Sequence, residues 1–233
     1  MPPLIELIDV ARHYRMGDQQ IAALDGVSFA VDRGEMVAIV GSSGSGKSTL
    51  LNVLGCLDTP TRGRYQLDGR DVQDLDDDER AGLRNRQIGF VFQSFQLLHR
   101  ATAARNVALP LVYRGTPSRI RNERAAQALT RVGLGHRMKH RPHELSGGQR
   151  QRTAIARALV TAPSLLLCDE PTGNLDSATR EEIMALFHAL HAEGNTILIV
   201  THEPALAARC PRAIRLADGK IVSDERAPVL EAS

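Results

Sequence analysis

The chain has 233 residues, 42% of them hydrophobic, with 29 Lys and Arg against 27 Asp and Glu for a formal charge of +2. That size supports one large domain, or a core domain with a subdomain, and the near balance of charge argues against nucleic acid, which selects a concentrated basic face. No apolar run approaches the ~18 residues that cross a bilayer, and Met1-Pro-Pro-Leu-Ile-Glu6 lacks the basic and apolar regions of a signal peptide, so membrane function is expected to come through another chain.

Residues 4–14 and 27–31 alternate apolar and polar side chains, which predicts strands of an antiparallel sheet. Asp32-Arg-Gly-Glu35 is a turn. Met36-Val-Ala-Ile-Val40 is a short buried strand, and a helical run follows over residues 49–57. Between them stand Gly41, Ser42, Ser43, Gly44, Ser45, Gly46, Lys47 and Ser48, which fit G-x-x-x-x-G-K-[ST] in the context that motif needs. Glycines let the backbone wrap a polyphosphate with its N–H groups inward, and the helix opening at Lys47, Ser48 and Thr49 adds its positive dipole end. Lys47 supplies a point charge to the β- and γ-phosphates and Ser48 a hydroxyl for Mg²⁺. A plain Gly/Ser turn between strand and helix is the alternative. The lysine argues against it, because Lys47, Lys139 and Lys220 are the only three in an arginine-rich chain. A nucleoside triphosphate is the expected ligand.

Residues 65–67 with Asp68-Gly69 predict a strand and turn, the acidic stretch 74–79 a solvated surface loop, and residues 88–92 a buried strand. Helical periods dominate from 94 to 160, at 121–132 and 149–160, so this span is expected to be a helical insertion in an α/β core. Its first part, 94–112, mixes Phe95, Leu97, Leu98, Val107 and Leu109 with Arg100 and Arg105 and lacks a clean helical period. Those apolar groups form either a partner site rimmed by charge or buried packing under the insertion. Core strands resume at 164–168 and 196–200, separated by a helix over 178–192, and residues 213–222 form a hairpin around Asp218-Gly219. The short stretch after Lys220 gives no expectation of an appended regulatory domain. Cys56, Cys168 and Cys210 are odd in number and widely spaced, and are expected to be reduced core thiols.

Leu165-Leu-Leu-Cys-Asp169-Glu170 is a buried strand ending in two acids. In P-loop enzymes such a strand delivers an Asp to the Mg²⁺ shell, and the next acid is placed to orient or deprotonate the attacking water. Leu145-Ser146-Gly147-Gly148-Gln149 opens the helix at 149. Taken alone this is an N-cap; beside a P-loop it is also a second helix start that can meet phosphate.

With these residues the chain resembles the nucleotide-binding subunit of an ATP-binding cassette (ABC) transporter over essentially its whole length. Residues 41–48 correspond to Walker A, 145–149 to the signature and 165–169 to Walker B. The resemblance implies an α/β P-loop NTPase core with an antiparallel β subdomain (residues 1–93 and 161–233) and an inserted helical subdomain (94–160). It implies a head-to-tail homodimer, each signature facing the partner's P-loop across ATP. It also implies that Gln93 reaches Mg²⁺ and the attacking water, that His202 contacts the γ-phosphate, and that Asn174-Leu-Asp176 joins the subunits. Tyr14 resembles the aromatic that stacks on adenine, although a half-buried strand tyrosine is its other reading.

Phe92-Gln-Ser-Phe-Gln-Leu-Leu98, Asn106-Val-Ala-Leu-Pro-Leu111 and Pro171-Thr-Gly-Asn-Leu-Asp-Ser177 resemble the lipoprotein-release and macrolide-export (MacB/LolD-type) branch. His99-Arg-Ala101 departs from it, where that branch has a proline and apolar residues. The expectation is an ATPase powering a separate membrane permease from the cytoplasmic face of the inner membrane, with residues 94–112 receiving the permease's coupling helix. The rival is a soluble ABC ATPase acting on DNA or ribosomes. Against it stand the single cassette and the lack of sustained heptads between Lys47 and Ser146.

Overall fold

The computed structural model describes residues 2–17 and 19–226. The chain begins with two long strands, β1 (Ile5–Met16) and β2 (Gln19–Val31), paired antiparallel with Ile5 opposite Val31. It continues through β3 (Met36–Val40) and α1 (Lys47–Leu54) to β4 (Arg62–Leu67) and β5 (Arg70–Asp71), giving a sheet ordered β2-β1-β4-β5. The strand expected at 27–31 is only the end of β2. Its first half shows no alternation, and the ladder with β1 supplies its structure instead.

The acidic stretch is not simply a loop: α2 (Asp77–Gln87) starts inside it, with Asp77, Asp78 and Glu79 in the first turn. Asp76 Oδ1 accepts the Glu79 N–H at 2.8 Å and Glu79 Oε2 accepts the Asp76 N–H at 3.1 Å, a reciprocal cap that puts negative charge at the positive helix end.

Then follow β6 (Ile88–Phe92), α3 (Ala103–Tyr113), α4 (Ser118–Arg131), 3₁₀ turns at Gly135–Arg137 and Pro142–Glu144, α5 (Gly147–Leu159), β7 (Leu165–Asp169) and α6 (Ser177–Ala192). The chain closes with β8 (Thr196–Thr201), α7 (Pro204–Ala207), β9 (Arg212–Ala217) and β10 (Lys220–Arg226). It divides into two compact units, Met1–Arg80 with Thr196–Ser233 and Ala81–Asn195. In the first unit β3 lies parallel to β8 and β9, and β10 folds back on β9; in the second, β6 and β7 are parallel. Every residue of β3 and β8 is buried, as continuous apolar runs in parallel strands require. The three cysteines are buried thiols.

Arg212 ties the first unit together. Its guanidinium donates to Asp224 at 2.8 and 2.7 Å, to Glu35 Oε2 at 3.1 Å and to the Ala30 carbonyl at 2.8 Å, with its side chain 9% exposed. The Arg212 hydrogen bond holds the Asp224 carboxyl below its ordinary value of 3.8. A depressed carboxylate stabilises the fold above that value, and the contribution fades as pH falls through the folded-state pKa. Arg212→Leu is therefore expected to cost about 2 kcal/mol at neutral pH, a figure discounted for the partial solvent exposure of Asp224. The gap to wild type should narrow on acidification below about pH 4. Urea midpoints across that range check both statements.

Candidate functional site

The phosphate loop, residues 41–48, joins the fully buried β3 to α1. Two of its glycines are forced. A Cβ on Gly41 would stand 2.3 Å from the Leu216 carbonyl oxygen and 2.5 Å from Ser45 Oγ; one on Gly46, at φ 101°, would stand 2.4 Å from the Ala23 carbonyl oxygen. Lys47 is buried, and its ammonium donates to the carbonyls of Gly41 at 2.8 Å and Ser42 at 2.7 Å, so the charge is held over the loop it serves. Gly46 caps α1 without any side-chain bond, and no acid lies in the first turn. The first N–H groups of α1 thus keep their dipole for an anion. Ser45 Oγ is buried with no hydrogen-bond partner among the described residues. Ser42, Ser43, Gly44 and Ser48 are exposed and Thr49 is half-buried. These features suit a polyphosphate.

The predicted hairpin has a part that the motif does not announce. The Gly219 N–H, at the β9–β10 turn, donates to the Ser45 carbonyl at 3.0 Å, while the Gly219 carbonyl accepts from Asp25 N–H at 2.9 Å. Leu216 and Gly219 therefore shape the loop, and only the Asp-Gly turn signal pointed to the region.

In the same unit, His202 is exposed just after β8. Tyr14 is half-buried on β1, its hydroxyl donating to Asp58 Oδ2 at 2.8 Å. Arg12 pairs with Asp58 at 2.8 Å, and its guanidinium lies 4.8 Å from the Tyr14 ring centroid. The tyrosine ring is thus braced through both its hydroxyl and one face.

In the second unit, β7 ends at Asp169, and Glu170 follows at φ 45°, left-handed for a residue with a side chain. The Gly173 N–H closes a turn onto the Glu170 carbonyl at 3.0 Å, and fully buried Gln151 of α5 donates to the Pro171 carbonyl at 2.7 Å. Gln93 follows β6. Its carbonyl accepts from Asn174 Nδ2 at 3.1 Å and its Nε2 approaches Asn174 Oδ1 at 3.4 Å. A Cβ on Gly173 would lie 2.6 Å from that Nε2. The unit therefore brings Gln93 to the segment following Glu170. Asp176 caps α6 by accepting the Thr179 N–H at 3.0 Å.

Ser146 is an N-cap, as predicted. Its hydroxyl accepts the Gln149 N–H at 3.2 Å and Gln149 Oε1 accepts the Ser146 N–H at 3.1 Å. Gly147 lies half-buried, and a Cβ on buried Gly148 would meet Thr179 Cγ2 at 2.5 Å, so α5 starts hard against α6. Gly148→Ala is expected to destabilise the second unit by about 1–3 kcal/mol, by prying that helix start from its seat. The melting temperature checks it.

The segment 94–112 departs from expectation. Residues 103–113 are helical, with Thr102 accepting the Arg105 N–H at 3.3 Å and Pro110 inside the helix. Fully buried Asn106 bonds to both the N–H and the carbonyl of Leu98, at 2.7 and 3.2 Å. The two leucines separate: Leu97 is 7% exposed and belongs to packing, whereas Leu98 is 51% exposed. Val112 and Tyr113 are exposed as well. Among the described residues no helix is long and apolar enough to cross a membrane.

Comparison with known proteins agrees with this geometry. Residues 24–173 match the ABC transporter family. The chain is 53% identical over 96% of its length to the macrolide export ATP-binding/permease protein MacB of Hyphomonas neptunium, but covers only 35% of that protein. It is also 53% identical, over 94% of its length and 95% of the relative's, to the uncharacterised ABC transporter ATP-binding protein YknY of Bacillus subtilis. Thus the chain spans about a third of the MacB relatives and nearly all of others. Among solved structures, the ATP-binding cassette MJ0796, a dimer in a post-hydrolysis state bound to ADP and Pi, superposes with a TM-score of 0.86 at 44% identity, covering 95% of this chain and 98% of that one.

Proposed function

Because the chain belongs to the ABC transporter family, as one of its ATP-binding and ATP-hydrolysing cassettes, we propose that it works as a head-to-tail homodimer driving a membrane permease. The observation that carries the reading is the loop at 41–48, where buried Lys47 is bonded to the Gly41 and Ser42 carbonyls and α1 opens without a side-chain cap. Lys47 and the α1 N–H groups bind the β- and γ-phosphates. Ser48, Asp169 and Gln93 offer oxygen donors, the hard set that Mg²⁺ prefers, and the bound ion would neutralise charge on the phosphates. Glu170 orients the attacking water and takes its proton as the new P–O bond forms and ADP leaves. His202 senses the γ-phosphate, and Ser146, Gly147, Gly148 and Gln149 present their helix start to the partner's nucleotide. Tyr14 stacks on adenine. In this scheme residues 94–160 act as the signature-bearing helical subdomain and the rest as the core.

Lys47→Ala is expected to weaken nucleotide binding at least about tenfold, since it removes a charge aimed at phosphate. Titration with a fluorescent ATP analogue measures this, and unchanged affinity would remove the reading.

The permease side of the proposal rests on the MacB relatives, in which an ATP-binding and a permease part share one name. We place the cassette at the cytoplasmic face of the inner membrane, and the transported class as a macrolide, lipoprotein or peptide-like molecule. Exposed Leu98, its backbone fixed by Asn106, is assigned to the permease contact. Leu98→Asp should leave basal hydrolysis within about twofold, as an exposed change does, while abolishing stimulation by the permease. An equal loss of basal hydrolysis would reject the assignment.

A further inference from the structure

Phe95 and Gln96 carry φ values of 61° and 50°, two successive left-handed residues with side chains, one residue beyond Gln93. A large ring is disfavoured in that conformation, and such backbone persists only where its surroundings over-determine it. Local bonds contribute: the Phe95 N–H reaches the Phe92 carbonyl at 3.1 Å and the Gln96 N–H the Ser94 carbonyl at 2.6 Å. The rest of the grip comes from α5.

Arg157 Nη2 donates to the Phe95 carbonyl at 2.9 Å, and Nη1 to the Gln96 carbonyl. The Arg150 guanidinium lies 5.0 Å from the Phe95 ring centroid. Arg150 and Arg157 stand two turns apart, so they share one stripe of the helix. Burial pushes the Arg157 guanidinium down from its ordinary value, and its hydrogen bonds among the described residues go to these two carbonyls alone. Half-burying a cation so that its fork serves two backbone acceptors costs solvation, which points to a conformation the protein must keep. The same helix grips the segment after Glu170 through Gln151, and its N-terminus is the Ser146 cap.

We propose that Arg157, seconded by Arg150, is a positioning residue for Gln93: its planar fork spans two carbonyls and fixes the left-handed pair that sets where Gln93 points. One helix then carries the Ser146 start, the brace on the Gln93 segment and the brace on the Glu170 segment, so displacement of that start reaches both chemical groups together. The inference rests on the reading of Gln93 given above.

Arg157→Lys keeps the charge but loses the fork, and a single ammonium cannot reproduce the pair of parallel bonds. In the full chain it is expected to lower kcat at least about fivefold while KM for ATP stays within about twofold. Amide hydrogen exchange over residues 95–98 should quicken at least about tenfold. Adding Gln96→Gly removes the steric cost of one left-handed residue, and should recover at least about half of the lost kcat and slow the exchange again. Gln96→Gly alone is the control for the lost side-chain bond, which Gln96 Nε2 donates to Ser94 Oγ at 2.9 Å. Unchanged kcat in Arg157→Lys, unchanged exchange, or a loss that Gln96→Gly does not recover would each overturn the proposal. A wild-type chain without turnover would overturn the functional reading instead, while the exchange arm would still decide for or against the clamp.

Discussion

Glu170→Gln is expected to leave ATP binding intact and to lower hydrolysis by ~10²–10⁴-fold, the usual worth of a positioned base. The substitution is almost isosteric. Glu170 sits at φ 45° with its carbonyl bonded to the Gly173 N–H, and Gln151 steadies the next carbonyl; none of these involves the carboxylate. Gln can therefore occupy the same backbone position, and what is lost is the proton acceptor. If the proposed head-to-tail dimer closes on ATP and reopens only once the nucleotide is hydrolysed, the variant should accumulate as an ATP-loaded dimer. Size-exclusion chromatography with ATP and Mg²⁺ shows that species, and phosphate release measures the rate. Near-normal turnover would withdraw the base from Glu170.

Ser146→Arg should separate binding from catalysis by another route. The loop at 41–48 is untouched, so nucleotide binding by each chain should persist. The reciprocal bonds between Ser146 and Gln149 disappear, leaving the first N–H groups of α5 without their cap and a bulky cation at the helix start. Hydrolysis should fall by at least about a hundredfold, comparable to removing an electrostatic element aimed at the transition state. Mixing this variant with Lys47→Ala gives the sharper reading. In a head-to-tail dimer both lesions meet in one composite site, and the other site is intact, so activity should reappear on mixing two inactive chains. If Ser146→Arg alone hydrolyses ATP normally, the composite site is wrong.

The sequence made some elements plain because local chemistry decides them. The glycines and Lys47 of the phosphate loop, the apolar runs of β3, β7 and β8, and the Ser146 cap are each fixed within a few residues, and family resemblance added roles that no local pattern could carry. What stayed hidden depended on distant partners. The first half of β2 is a strand because β1 pairs with it, and α3 is a helix despite Pro110 because Thr102 caps it and buried Asn106 anchors it. The charge of the acidic stretch suggests a loop, although Asp76 and Glu79 carry the spacing of a reciprocal cap. The split between Leu97 and Leu98 follows from packing, which composition does not show.

The bond from the Gly219 N–H to the Ser45 carbonyl also sets an order of events during synthesis. The phosphate loop is made well before its partners: the Leu216 carbonyl that crowds Gly41 and the turn that bonds Ser45 follow it by about 170 residues of synthesis. At ribosomal speeds the loop waits on the order of ten seconds for these partners. A nascent chain halted before β9 carries the complete motif but lacks the brace that gives it shape. The emerging polypeptide should thus acquire its full ATP affinity only once β9, the second parallel neighbour of β3, is in place.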